Sequence, residues 1–458
     1  MTPLSPVDQI FLWLEKRQQP MHVGGLHIFS FPDDADAKYM TELAQQLRAY
    51  ATPQAPFNRR LRQRWGRYYW DTDAQFDLEH HFRHEALPKP GRIRELLAHV
   101  SAEHSNLMDR ERPMWECHLI EGIRGRRFAV YYKAHHCMLD GVAAMRMCVK
   151  SYSFDPTATE MPPIWAISKD VTPARETQAP AAGDLVHSLS QLVEGAGRQL
   201  ATVPTLIREL GKNLLKARDD SDAGLIFRAP PSILNQRITG SRRFAAQSYA
   251  LERFKAIGKA FQATVNDVVL AVCGSALRNY LLSRQALPDQ PLIAMAPMSI
   301  RQDDSDSGNQ IAMILANLGT HIADPVRRLE LTQASARESK ERFRQMTPEE
   351  AVNYTALTLA PSGLNLLTGL APKWQAFNVV ISNVPGPNKP LYWNGARLEG
   401  MYPVSIPVDY AALNITLVSY RDQLEFGFTA CRRTLPSMQR LLDYIEQGIA
   451  ELEKAAGV

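Results

Sequence analysis

Apolar and polar residues along the chain follow two periods, and the places where one period gives way to the other mark out its elements. Runs rich in branched and aromatic residues predict strands through Val23 to Phe29, Glu116 to Glu121, Arg127 to Lys133, a segment ending at Pro297 to Arg301, Ile311 to Leu318, Phe377 to Ser382, Asn414 to Ser419 and Glu425 to Ala430. Helical spacing predicts helices over Asp8 to Lys16, residues 36 to 50, residues 91 to 108, Val142 to Val149, Leu251 to Phe261, Val268 to Leu282, Asp324 to Gln345 and Leu435 to Ala455. Between the first two helices and the third, Asn58 to Trp70 interleaves Arg with Tyr and Trp, a half-buried sheet surface rather than a nucleic-acid stripe. Both halves mix strands with helices. That predicts an α/β architecture of two sandwiches facing one another, with a channel between them.

The character changes after Ser151. Pro156, Pro162 and Pro163 lead into a Thr/Pro/Ala-rich stretch to Gly183, which reads as a linker. Helical periodicity resumes over residues 184 to 218 and breaks at Pro204, with leucines on one side and Arg and Lys elsewhere. Two readings stay open there: a helix packed across the two domains, or a basic amphipathic element resting on a membrane or lipid droplet. The domain boundaries are therefore 1–155, a linker with crossover helices over 156–230, and 231–458.

Chemistry concentrates at one corner. His135 and His136 stand where a strand ends, and Asp140-Gly141 opens the helix that follows. Neighbours at a strand end point to opposite faces, so one histidine is the base and the other its support. A neutral imidazole accepts a proton from a hydroxyl and returns it to a leaving group, which suits acyl transfer to an alcohol. Asp140 is expected to cap the helix and pair with a buried arginine. A second cluster, His80, His81 and His84, has an i, i+4 pair, but Pro88 and Pro90 disfavour a helix and no metal site is expected. No Gly-x-Ser-x-Gly elbow and no complete nucleotide-binding glycine pattern occur, so neither a covalent acyl-enzyme nor a nucleotide cofactor is indicated.

The pattern His135-His136-x-x-x-Asp140-Gly141 resembles the signature shared by chloramphenicol acetyltransferase, the BAHD plant acyltransferases and peptide-synthetase condensation domains. Further stretches narrow the likeness: Pro3-Leu4-Ser5-Pro6-x-Asp8, Phe11-Leu12-x-x-Glu15, Pro20-Met21-His22-Val23-Gly24, Pro113-Met114-Trp115, Asn266-Asp267 and Ser382-Asn383-Val384-Pro385-Gly386-Pro387. Together these are similar to the motif set of the bacterial wax ester synthase/acyl-CoA:diacylglycerol acyltransferase family, with Met114 where the family often has Leu. The resemblance implies two chloramphenicol acetyltransferase-like domains, acyl-CoA as substrate with no cofactor, and a long-chain fatty alcohol or diacylglycerol as acceptor. It implies His136 as general base held by His135 and Asp140, with Asn266 facing it as an amide donor to the oxyanion. Glu15 would lie near the acceptor entrance and Trp115 would support the corner. Arg301 would pair with Asp140, Arg60 and Arg62 being the alternatives, and Gly141, Asp267 and Asn383 would be supporting residues. Burying a chain gains roughly 0.8 kcal/mol per methylene, so the apolar stretches Leu357 to Leu370, with Ala360 among them, and Met401 to Ile406 are expected to hold it.

Bulk properties change this picture little. The 458 residues, 45% hydrophobic, can bury a large core, more naturally as two domains than one. A formal charge of +4 excludes a dense basic stripe for nucleic acid and leaves weak attraction to anionic lipid. Five widely spaced cysteines argue for a reducing compartment, with cytoplasm the expectation. Residues 355 to 372 are interrupted by Pro361, Ser362, Gly363, Asn365 and Thr368, so any membrane contact is expected to be peripheral.

Overall fold

The computed structural model describes residues 1–167, 229–300, 310–346, 354 and 375–458. The amphipathic stretch 184–218, Arg301, and the apolar stretch 357–370 with Ala360 lie outside the described residues.

The first half begins with β1 (Thr2–Pro3), α1 (Pro6–Leu14), β2 (His22–Ser30) and α2 (Tyr39–Ala49). Ser5 caps α1 by accepting from the Asp8 amide at 3.1 Å, and Pro6 supplies the first helical position, where its missing N–H costs nothing. The Arg/Tyr/Trp run folds into a hairpin, β3 (Arg59–Arg64) and β4 (Arg67–Thr72), and β1 pairs with β4. Its two-residue turn has Trp65 at φ 54° and Gly66 at φ 76°, the primed turn that matches strand twist. β5 (Phe82–Ala86), α3 (Ile93–Glu103), β6 (Trp115–Ile123), β7 (Arg127–His135) and α4 (Gly141–Lys150) follow. His80 falls on a short 3-10 turn and His84 on β5, so the pair is not on one helix face.

The second half contributes β8 (Arg242–Ala250), α5 (Leu251–Ala260), α6 (Val265–Ser283), β9 (Ile293–Ile300), β10 (Gln310–Asn317), α7 (Pro325–Arg344) and β11 (Val379–Val384). β12 (Tyr392–Trp393), β13 (Ala396–Val404), β14 (Leu413–Tyr420), β15 (Gln423–Cys431) and α8 (Arg440–Ala456) complete it. One six-stranded sheet has the order β10-β9-β11-β14-β15-β8. The other runs β12-β13-β2-β7-β6-β5, so two strands from the second half finish the first half's sheet.

This exchange corrects the boundary at 231, because residues 392–404 belong structurally to the first sheet. The boundary at 155 moves too. Trp165 and Ile164 are buried in the first core, and the Trp165 indole donates to the Tyr50 carbonyl at 3.0 Å.

Alternation along the first sheet separates two cores. Phe29, Phe128, Val130, Trp115 and Leu398 face α2 and α4, while Leu26, Ile28, Ala129, Tyr131 and Val404 face α3 and Phe244 of β8. The second sheet turns Ile314, Ile381, Ile415 and Phe428 toward α5, α6, α7 and α8, the larger core. The sheets meet where β13 crosses β14 and β15. Gly427 is required there: a Cβ would sit 1.9 Å from the Pro403 carbonyl oxygen. All five cysteines are buried free thiols, and no single described helix is long and apolar enough to cross a membrane.

Candidate active site

The pairing of β2 with β7 builds the corner. His135 is the last residue of β7, and the His136 amide donates to the Met21 carbonyl at 2.9 Å, so the backbone is pinned on both sides of the turn. The two histidine side chains diverge, as alternation requires. His135 is fully buried, whereas His136 is half-buried and stacks on Phe11 of α1 with ring centroids 4.1 Å apart.

His135 is oriented from both ring nitrogens. The Cys137 amide donates to its Nδ1 at 3.2 Å, so in the neutral ring the hydrogen resides on Nε2. That Nε2 stands 3.2 Å from Glu15 Oε2, close in distance but bent away from hydrogen-bond geometry. Glu15 also accepts from Arg110 at 2.8 and 3.0 Å and from the Met21 amide at 3.2 Å. Burial alone would raise the Glu15 carboxyl, but His135 and Arg110 outweigh it and hold it below the ordinary carboxylate value. With its side chain only 5% exposed, Glu15 braces His135 from the end of α1. Arg110 and Phe11 were not anticipated; both contacts are long-range, and only the pairing need of a buried carboxylate hinted at the arginine.

Burial pushes the His136 imidazole down to about 4; Asp140 raises it and His135 opposes that. The ring is thus neutral at physiological pH. Its Nδ1 is buried near the residue's own carbonyl without reaching hydrogen-bond geometry. Asp140 caps α4 as expected, accepting from the Ala143 amide at 2.8 Å. The alternative arginines are engaged elsewhere: Arg60 pairs with Asp73 and Arg62 with Asp71, each at 3.6 Å.

Beside the corner lies a mostly apolar cavity between the two sheets. Ala134, Leu139 and Gly141 flank His136 along its wall, Trp115, Phe57, Met145, Cys148 and Ile164 continue it inward, and Val384, Thr416 and Val418 close it from the second sheet. Met401 to Ser405 also line it, in agreement with the expected apolar wall. A Cβ at Gly141 would meet nothing, so glycine there keeps the space at the corner open. Trp115 is core support as expected: its indole donates to the Phe57 carbonyl at 2.8 Å and stacks on Trp165 at 5.4 Å. Asn383 sits on β11 next to the lining residue Val384, and the Gly386 amide that follows donates to Ser419 Oγ at 3.0 Å.

Asn266-Asp267 lies in the first turn of α6. Thr264 caps α6, and Asp267 completes a capping box by accepting from the Thr264 amide at 3.0 Å and hydroxyl at 2.7 Å. α6 packs on the face of the second sheet turned away from the cavity, and none of residues 265–283 lines it. Asp267 therefore takes part in starting α6.

Two buried polar groups line the cavity from the other sheet face. Lys133 Nζ donates to Glu116 at 3.2 Å and to the Glu103 carbonyl at 3.0 Å. Beyond them His118 lies between Glu85 and Glu116; burial would lower it, but Glu116 and Glu85 raise it, so this is an ion-pair cluster with the imidazole charged. Ligand atoms of Glu85, His99 and His118 lie within 4.8 Å of one another, but their mutual pairing already satisfies them. On β15, Glu425 is fully buried behind Tyr402. It accepts from Ser248 Oγ at 2.5 Å, and burial raises it to about 7.

Comparison with known proteins matches residues 4–269 to the wax ester synthase/diacylglycerol acyltransferase catalytic domain and residues 307–453 to the WS/DGAT C-terminal domain. The chain is 52% identical over 455 residues to the O-acyltransferase WSD of Acinetobacter baylyi, covering 99% of this chain and 97% of the relative. It is 40% identical over 464 residues, covering all of both chains, to the probable diacylglycerol O-acyltransferase tgs2 of Mycobacterium tuberculosis. Among solved structures, the wax ester synthase/diacylglycerol acyltransferase from Marinobacter aquaeolei VT8 is similar over 100% of both chains, with a TM-score of 0.83 and 55% identity. The first condensation domain of the calcium-dependent antibiotic synthetase shares the fold alone, at a TM-score of 0.55 and 15% identity over 99% of this chain and 96% of that one.

Proposed function

The chain belongs to the wax ester synthase/diacylglycerol acyltransferase family, and from that premise we propose that it transfers a long-chain acyl group from acyl-CoA to a fatty alcohol or to diacylglycerol, with His136 as general base. One observation carries the reading: a neutral imidazole, stacked on Phe11, stands beside a mostly apolar cavity between the two sheets. His136 Nε2 takes the hydroxyl proton as the alcohol oxygen attacks the thioester carbon. The tetrahedral intermediate then collapses, breaking the carbon–sulfur bond, and CoA leaves as the thiol with the proton His136 returns. His135 and Glu15 hold the corner, and the Asp140 cap fixes the start of α4 beside it. No cofactor enters this sequence.

Peripheral contact with a lipid surface belongs to the same reading. Trp65, 97% exposed at the tip of the β3–β4 hairpin between Arg64 and Arg67, and Trp13, 54% exposed on α1, give an aromatic and basic edge suited to anionic headgroups.

The test of the function is CoA thiol release from palmitoyl-CoA with hexadecanol or a diacylglycerol, native chain against His136→Ala. Acceptor-dependent release that the variant loses supports the reading. Release that persists in the variant refutes the assignment of the base.

A further inference from the structure

Besides Lys133 and Glu116 from the other sheet face and the hydroxyl residues Ser405 and Thr416, the cavity wall carries polar groups at His27 and Tyr132. His27 of β2, 4% exposed, meets the Tyr152 hydroxyl through Nδ1 at 2.5 Å, while its Nε2 bonds no described residue. The Tyr132 hydroxyl, from the adjacent strand β7, lies near Tyr152 yet reaches no hydrogen-bond geometry and is buried. The two rings meet edge to face at 5.5 Å, and both residues line the cavity. Gly25 belongs to the same wall: a Cβ there would come within 3.2 Å of His27 Nε2, so the glycine leaves that nitrogen uncovered.

The unmatched Tyr132 hydroxyl in such a wall costs about 1 to 3 kcal/mol, a penalty that a cavity serving only hydrocarbon would avoid with phenylalanine. Burial keeps the His27 ring neutral, so it carries one hydrogen. If Tyr152 donates to Nδ1, Nε2 is a donor; if Nδ1 donates to Tyr152, Nε2 is an acceptor. A hydroxyl satisfies either arrangement and has a second bond left for Tyr132, whereas a carbonyl satisfies only one. The position is also defined. Tyr132 precedes His136 by four residues along β7 and its corner, which at roughly 3.3 Å per residue is about 13 Å. An extended chain covers that with on the order of ten carbon–carbon bonds.

We infer that the cavity recognises a hydroxyl carried partway along the substrate's aliphatic chain, through His27 Nε2 and the Tyr132 hydroxyl, so that the substrate class includes long chains hydroxylated on the order of ten carbons from the reacting end. The identity of the reacting end rests on the acyl-transfer reading; the hydroxyl site does not.

The experiment measures binding and turnover separately. Binding of 12-hydroxyoctadecanoic acid and of octadecanoic acid is read by displacement of a fluorescent fatty-acid probe from the native chain, His27→Leu and Tyr132→Phe, with melting temperatures confirming that each variant is folded. The native chain is expected to bind the hydroxylated acid within about threefold of the plain one, because the hydroxyl keeps its hydrogen bonds. His27→Leu shifts that ratio against the hydroxylated acid by about tenfold or more, and Tyr132→Phe, which removes a single oxygen, by a few fold. CoA release from the two corresponding acyl-CoA esters is then compared in the same proteins. A native chain that rejects the hydroxylated acid more than about thirtyfold, or a ratio that neither variant moves, overturns the inference. The latter is also the result if only water occupies the site. Absent turnover of both esters with the binding ratio intact and lost in His27→Leu leaves the hydroxyl site standing and removes the acyl-transfer reading; turnover of both with an unmoved ratio does the reverse.

Discussion

Replacing Glu425 by glutamine should stabilise the folded chain, and by more as the pH rises. The carboxyl is fully buried on β15, accepts from Ser248 Oγ, and leaves Oε1 without a partner. Burial raises it from 4.5 to about 7. Below 4.5 both folded and unfolded chains hold the proton and nothing is lost. Between 4.5 and about 7 the unfolded chain releases it while the folded chain keeps it, so stability falls with rising pH. Above about 7 the full penalty applies. A difference of roughly 2.5 pH units is worth roughly 3 kcal/mol at most. Glutamine mimics the protonated acid at every pH and escapes this term. Urea unfolding of both chains at pH 5 and pH 8 reads it: the variant's advantage should be under about 1 kcal/mol at pH 5 and approach about 3 at pH 8. An advantage that does not change with pH, or a variant less stable than the native chain at pH 8, refutes the reasoning.

Three other outcomes follow from the corner and its surroundings. Glu15→Gln removes the charge facing His135 and Arg110; after discounting for the partial exposure of Arg110 it should cost about 2 to 3 kcal/mol, and kcat should fall on the order of tenfold or more with little change in KM, read by urea unfolding and by CoA release. Because burial holds His136 at about 4, its neutral form is lost only as pH falls through that value, so kcat/KM should stay nearly flat from pH 7 to 5; an ordinary imidazole base would lose about thirtyfold over that range, and such a loss would exclude the assignment. Trp65→Ser should weaken cosedimentation with vesicles containing anionic lipid while leaving the melting temperature in place, since the ring is 97% exposed; undiminished binding would remove the hairpin from the contact.

The histidine corner was legible because its signals are local. Arg127 to His135 alternates as a strand, Asp140 stands three residues before the amide it caps, and both histidines lie in one short stretch. What closes around the corner was not legible. Phe11 and Arg110 reach His136 and Glu15 from far along the chain, and no pattern within a short window encodes such contacts. β13 was read as a chain-binding wall and not as a strand because Gly400 at its bulge and Pro403 interrupt the alternation. Arg301 and Ala360 lie outside the described residues.

The exchange of β12 and β13 into the first sheet has a consequence for biosynthesis. During translation the first half emerges with its histidine corner nearly complete, but the edge of β2 from Gly24 to Ser30 waits for a partner that ends at Val404. Until some 400 residues have left the ribosome, that edge is an unpaired template for other chains, and the cavity lacks the wall from Met401 to Ser405. A nascent chain therefore completes the walls of its cavity only near the end of synthesis, and the two halves cannot be separated into independently folding pieces by cutting between them.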